Sequence, residues 1–194
     1  QDQAFALFAC YGIPVAKNEL ATSYEEALAA AERIGYPLVV KVSSEQVVHK
    51  SDSGGVVLGI NNAEELKSAF EQVTTAPLAF VPDAKIDGAL VSEMVKPEIE
   101  LSAGLLRDAM FGPIVMFGLG GIFIEVLRDV VIRSASLTKA DALEMMSQIK
   151  SSRILDGARG MTPVDKDALA DIILGLAALA KDLPEIAEAD VNPL

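Results

Sequence analysis

Apolar residues recur at helical spacing through residues 2–11, where Phe5, Leu7, Phe8 and Tyr11 share a stripe that Gly12 ends. Ile13-Pro14-Val15 reads as extended. Ser23, with Glu26 three residues on, has the form of a capping box, and EEALAAAERI carries that helix to Gly35. Leu38 to Val42 is a short β-branched run, which predicts a buried strand, and Gly55 to Ile60 predicts a second. Asn62 caps a helix whose apolar stripe is Leu66, Phe70 and Val73. Residues 74–88 lose periodicity and carry Pro77, Pro82 and Gly88, so the division falls there, into 1–88 and 89–194. The second part is strand-rich. Ala89 to Val95, Glu100 to Leu106 and Pro113 to Phe117 read as strands, and Phe123 to Leu127 with Val130 to Arg133 as a hairpin around Arg128-Asp129. Thr138 and Asp165 open two helices, and Ile186 to Val191 closes as a strand. Helices and strands in this mixture predict an α+β protein of two lobes.

Composition narrows the class. The chain has 194 residues, is 51% hydrophobic and has a mean hydropathy of +0.36, enough to build a substantial core. No apolar run approaches the length of a bilayer span, so no membrane association is expected. With 28 acidic and 16 basic residues the formal charge is -12, which argues against nucleic acid as a partner. A small anion is still allowed, because a few placed lysines and backbone amides can hold a phosphate in an acidic protein. One cysteine, Cys10, permits no internal disulfide and is expected to pack in the first helix. That usage fits a reducing, cytoplasmic setting. With a single cysteine and a single histidine, zinc clusters and Cys-His catalysis are ruled out. The chain starts at Gln1 inside an amphipathic segment and stops at Leu194 just after a strand, so both ends are expected to be cuts in a longer polypeptide, with the C-terminal edge truncated.

Several residues could carry chemistry. Lys41 ends the strand PLVVKVSS between apolar neighbours, so it either reaches water or faces a buried anion, for which its compact ammonium is suited. His49 stands between Val47-Val48 and the polar run Lys50-Ser51-Asp52-Ser53-Gly54-Gly55. It is either a structural histidine on a turn or a nucleophile able to accept and release a group near neutral pH. Gly54 and Gly55 supply a positive-φ turn or a close backbone approach. Gly118, Gly120 and Gly121, after the strand PIVMF, allow backbone amides to approach phosphates or simply form a hairpin turn; neither a Walker A loop nor a dinucleotide fingerprint is present. Asp190 and Asn192, two apart at a strand end, share a face, as a hard-cation site or as an Asx turn before Pro193.

Taken in order, YGIPV (11–15), the strand ending in Lys41, VVHKSDSGGV (47–56), VSEMV (91–95), ELSAGLLRD (100–108), FGPIVMFGLGGIFIEVLRDVVIR (111–133) and EIAEADVNPL (185–194) resemble the ATP-grasp domain of ADP-forming acetyl-CoA (acyl-CoA) synthetases. The resemblance covers essentially the whole chain. It implies an ATP-grasp fold, two α+β lobes with a nucleotide cleft between them, and a reaction interconverting acyl-CoA, ADP and phosphate with acid, CoA and ATP. It implies that His49 is a phosphohistidine relay and that Lys41 contacts nucleotide phosphates. Glu93, Met94 and Val95 then match the adenine hinge, Glu100 the ribose contact, and Asp190 and Asn192 a Mg²⁺ pair. ATP or ADP with Mg²⁺ are the implied cofactors. CoA is implied to bind a partner, either an α subunit or a fused domain, that carries the first phospho-acceptor histidine.

Two other families share parts of this pattern. A regulatory ATP-grasp-like domain of protein lysine acetyltransferases resembles the HKS segment, whereas GLGGIFIEVLRD with Glu125 follows the synthetases. Succinyl-CoA synthetase β chains share the lysine and the Asp-x-Asn-Pro, and the HKSD histidine argues against them.

Overall fold

Two four-stranded antiparallel sheets carry the fold of this computed structural model, which describes residues 2–121 and 128–194. Residues up to 6 with 15–96 make one compact unit, and 7–14 with 97–194 a second. Helix α1 (Asp2–Cys10) contributes residues to both. Phe8 on α1 is buried, whereas Cys10, expected to pack, is exposed. Two residues turn a helix by about 200°, so the two side chains leave on opposite sides.

In the first unit the elements run β1 (Asn18–Ala21), α2 (Tyr24–Ile34), β2 (Leu38–Ser43), β3 (Val56–Ile60), α3 (Ala63–Thr75) and β4 (Gly88–Glu93), with sheet order β1-β4-β2-β3. Both helices begin where side chains can cap them. Ser23 accepts from the Glu26 amide and Asn62 from the Glu65 amide. The return bond of the first box is displaced by one residue, since Glu26 accepts from the amide and hydroxyl of Thr22. Leu38, Val40 and Val42 of β2, Ala89 and Val91 of β4, and Ile60 of β3 form one core with Ala27, Ala30 and Ala31 of α2 and Leu66, Ala69 and Val73 of α3. Each fully buried leucine or isoleucine there contributes about 1.5–3 kcal/mol by apolar transfer.

The second unit has sheet order β7-β6-β5-β8, from β5 (Leu101–Asp108), β6 (Gly112–Leu119), β7 (Val130–Ser134) and β8 (Glu188–Val191). Helices α4 (Lys139–Gln148) and α5 (Lys166–Asp182) pack on it. The pairs Ala103–Phe117 and Leu105–Val115 place four buried side chains on one face, while Gly104 opposite Asp190 lies on the other. Among the described residues, no helix is long and apolar enough to cross a membrane.

The units divide after Lys96, not after Gly88. Strand β4 hydrogen-bonds β1 on one side and β2 on the other, so it belongs to the first sheet. Strand β1 itself is a four-residue edge strand, NELA, with two polar residues followed by two apolar ones, so it has no apolar alternation to reveal it. The expected strand at 123–127, with Glu125, lies outside the described residues.

Gly175 marks the tightest packing of α5. A Cβ there would stand 2.6 Å from the Tyr11 carbonyl oxygen and 2.9 Å from Ile13 Cγ1. Gly175→Ala is therefore expected to lower stability by about 1–3 kcal/mol, reversing the ~1 kcal/mol that helix propensity alone would add. Urea unfolding measures it, and equal or greater stability would mean that the 11–13 segment yields without strain.

Candidate functional site

Lys41 sits in the middle of a doubly paired strand. It faces Val56 of β3 and Leu90 of β4, and its neighbours Val40 and Val42 enter the core. Strand alternation therefore sends Lys41 to the face opposite α2 and α3. The β2–β3 connection folds back over that face, and Lys41, His49, Lys50, Val56 and Leu58 line one open pocket. Lys41 is half-buried, His49 exposed and Lys50 half-buried. Burial, and then the charge of Lys50, hold the Lys41 ammonium below its ordinary pKa. Arg33, Lys85, Lys139 and Lys166 all have carboxylate partners, but Lys41 and Lys50 have none among the described residues. Asp52 lines the same pocket, so two lysines without an ion pair among the described residues face one carboxylate, and the remaining positive charge beside an exposed imidazole suits a phosphate-sized anion.

Both ends of the histidine turn are tied down. Before it, Val47 is 2% exposed within the core, and the Lys85 amide donates to Gln46 Oε1 at 2.6 Å. After it, the Gly55 amide donates to the Lys50 carbonyl at 2.7 Å, and buried Ser53 donates its hydroxyl to the same oxygen at 3.1 Å. Val48, by contrast, is 77% exposed. The two glycines serve separate needs. Gly54 has φ +71°, and a Cβ on Gly55 would stand 2.6 Å from Val42 Cγ1. Backbone demands thus account for both, without any contact to phosphate.

The predicted hinge closes the far end of β4. Glu93 gives its amide to the Lys17 carbonyl and takes the Lys17 amide on its carboxylate, both at 2.9 Å. The Met94 amide donates to the Pro37 carbonyl at 3.0 Å. Val95 is exposed, and its amide has no protein partner among the described residues, so main-chain recognition of a base edge is open there.

In the second unit, exposed Glu100 takes the Gly120 amide on its carbonyl at 2.8 Å. Side chains at 118, 120 or 121 would collide respectively with Asp129, with the Leu101 carbonyl and with the Glu100 carboxylate. Close backbone packing calls for glycine at 118 and 120, whereas at 121, where only the movable Glu100 side chain is near, the positive φ of +58° does. Asp190 is exposed on β8 and accepts from buried Ser102 at 3.2 Å. Asn192 is exposed just beyond the strand. A carboxylate and an amide oxygen suit a hard cation, with nucleotide oxygens and water completing its shell. Among the described residues, no group of three or more His, Cys, Asp or Glu converges to hold a metal by itself.

Comparison with known proteins fixes the family. The ATP-grasp domain model matches residues 1–194. The chain belongs to the ATP-grasp domain family. The β subunit of Pyrococcus furiosus acetate–CoA ligase (ADP-forming) I is 47% identical over 194 residues, covering 100% of this chain and 84% of that one. Acetate–CoA ligase (ADP-forming) I of Archaeoglobus fulgidus is 46% identical over 184 residues, 95% of this chain but 27% of that protein. Acetyl-coenzyme A synthetase 1 of Ca. Korarchaeum cryptofilum, solved with coenzyme A and Ca-AMPCP, superposes with a TM-score of 0.95 at 45% identity, over 99% of this chain and 84% of that one. The same synthetase has been solved with a phosphorylated phosphohistidine segment in a site I orientation. It has also been solved with Mg-AMPPCP and that segment pointing towards the nucleotide site.

The ATP-grasp chain holds two structural residues that its motifs did not announce. Ser102 orients Asp190. Asp129, at the end of the glycine-rich motif, is 3% exposed and accepts from the Lys150 amide at 2.7 Å, the Ser151 amide at 2.8 Å and the Ser151 hydroxyl. A hairpin aspartate gave no signal in the sequence, because its partners are 21 and 22 residues away. Burial pushes its carboxyl upward, but these hydrogen bonds outweigh it and hold the group below the usual aspartate value. A depressed carboxyl contributes stability that is present above the unfolded pKa near ~4 and lost as pH falls through the folded value. Asp129→Asn should thus cost about 1–3 kcal/mol at neutral pH, and the gap to wild type should shrink as pH falls below ~4. Denaturant unfolding at several pH values tests it; a gap constant down to pH ~2 would mean that the charge contributes nothing.

Proposed function

We propose that this chain is the nucleotide-binding, phosphoryl-transfer domain of an ADP-forming acyl-CoA ligase, which interconverts acyl-CoA, ADP and phosphate with acid, CoA and ATP. The observation that carries the proposal is the exposed His49 in one pocket with Lys41 and Lys50, which have no carboxylate partner among the described residues. Phosphoryl transfer needs positioning and charge neutralisation more than covalent help, and the pocket offers both. It is also the only histidine in the chain, so any phosphohistidine within these residues is His49. The Pyrococcus relative, of which this chain covers 84%, is a β subunit, and the Archaeoglobus ligase, of which it covers 27%, contains much further sequence. CoA then binds an α subunit or a fused domain that carries the first phospho-acceptor histidine. The ligase names of these relatives lend no weight to the acetyltransferase-regulatory alternative.

In this reading Lys41 contacts the nucleotide phosphates, the Glu93–Val95 main chain the adenine and Glu100 the ribose, and Asp190 and Asn192 are the Mg²⁺ pair. The metal, when bound, neutralises phosphate charge; the chain's part is to hold it with two oxygens, one of them fixed by Ser102. Gly54, Gly55, Gly118, Gly120 and Gly121 shape the backbone around these groups.

Two measurements test the assignment. His49→Ala in the full enzyme should keep nucleotide affinity within about twofold while ATP formation from acyl-CoA, ADP and phosphate falls by several orders of magnitude. Retained turnover would refute the relay. Asp190→Ala should flatten the Mg²⁺ dependence of nucleotide binding in calorimetry, and an unchanged dependence would remove Asp190 from the metal site.

A further inference from the structure

We propose that Lys50, at the base of the histidine turn, is the cation that holds the phosphoryl group on His49, while Lys41 is a charge within the sheet that serves the nucleotide side alone. The proposal rests on His49 being the relay. Lys41 is fixed, because β2 is hydrogen-bonded to both β3 and β4 around it. Lys50 is one peptide from His49 and lies on the same turn. The Gly55 amide and the Ser53 hydroxyl hold the Lys50 carbonyl, so its ammonium stands at the fixed base of the imidazole's tether, whereas Lys41 is held in the sheet.

The chemistry requires such a companion. In phosphorylation from ATP, the lone pair of the unprotonated ring nitrogen forms the N–P bond as the bond from the γ-phosphorus to the bridging oxygen breaks. ADP leaves with that electron pair, and the proton on the other ring nitrogen stays in place. The phosphoryl oxygens carry two negative charges, of which the ring, left cationic by its retained proton, offsets one, so the chain gains one net negative charge on top of -12 and local neutralisation favours the product. Lys50 is free for that role, with no carboxylate partner among the described residues. Its structural bonds to Ser53 and Gly55 run through its carbonyl, not its ammonium. Lys50 also borders a second pocket, with Ser43, Ser44, Glu45 and Asp87, so its side chain stands between two openings.

The test loads the full enzyme with labelled phosphate from either direction, from γ-labelled ATP with Mg²⁺ or from acyl-CoA with labelled phosphate, and measures acid-labile, base-stable phosphoprotein. Lys50→Ala should reduce labelling from both directions by roughly 10- to 100-fold, the value of one charge-assisted contact. Lys50→Arg should restore most of it. Lys41→Ala should reduce labelling from ATP only. Alanine keeps the main-chain bonds at position 50, so thermal unfolding should be unchanged. Wild-type labelling in Lys50→Ala from either direction, or an equal loss from both in Lys41→Ala, overturns the proposal. Failure of the relay itself looks different: His49→Ala would still acquire base-stable label.

Discussion

The hydrogen bonding of β2 on both edges is the constraint from which the site follows. A strand held by β3 and β4 at once cannot rotate or slip. With Val40 and Val42 committed to the core, Lys41 has only the opposite face available. Half-burial of an ammonium there, beside Lys50 and with no carboxylate partner among the described residues, lowers its proton affinity. An anion would relieve that cost, which makes the pocket a receptor in the physical sense before any ligand is named.

The histidine turn solves a related problem. An imidazole that is to exchange a group must be accessible, yet its tether must be short enough to bring it back to the same cation. Val47 in the core and the double hydrogen bond to the Lys50 carbonyl fix the two ends, and Val48 and His49 are exposed between them. Gly54 and Gly55 make this closure possible, one by its positive φ and the other by its missing Cβ. Their presence beside the histidine is therefore explained first by backbone geometry.

The second unit follows the same economy. Ser102 points one acidic side chain, and Asp129 collects two amides and a hydroxyl from the segment after α4. Gly118, Gly120 and Gly121 let β6 and the following turn lie against Asp129, Leu101 and Glu100. These contacts join the ELSAG, glycine-rich and Asp-x-Asn-Pro segments, which are far apart in the chain.

Short-range physics was legible in the chain alone. The caps at Ser23, Asn62, Thr138 and Asp165 lie within a turn of the groups they satisfy, and each helix begins where they place it. Ordered motifs likewise identified the ATP-grasp family, and the lone histidine was visible as the one imidazole available. Long-range pairing was not legible. Short β1, without apolar alternation, exists because β4 offers it an edge, and β4 joins the first unit through partners some fifty to seventy residues earlier. That Lys41 and Lys50 share a pocket with His49, and that neither finds a carboxylate among the described residues, was decided by the folding of the β2–β3 connection over its own sheet. Capping and periodicity are set by neighbours in sequence, whereas strand register and charge isolation depend on which distant surfaces meet.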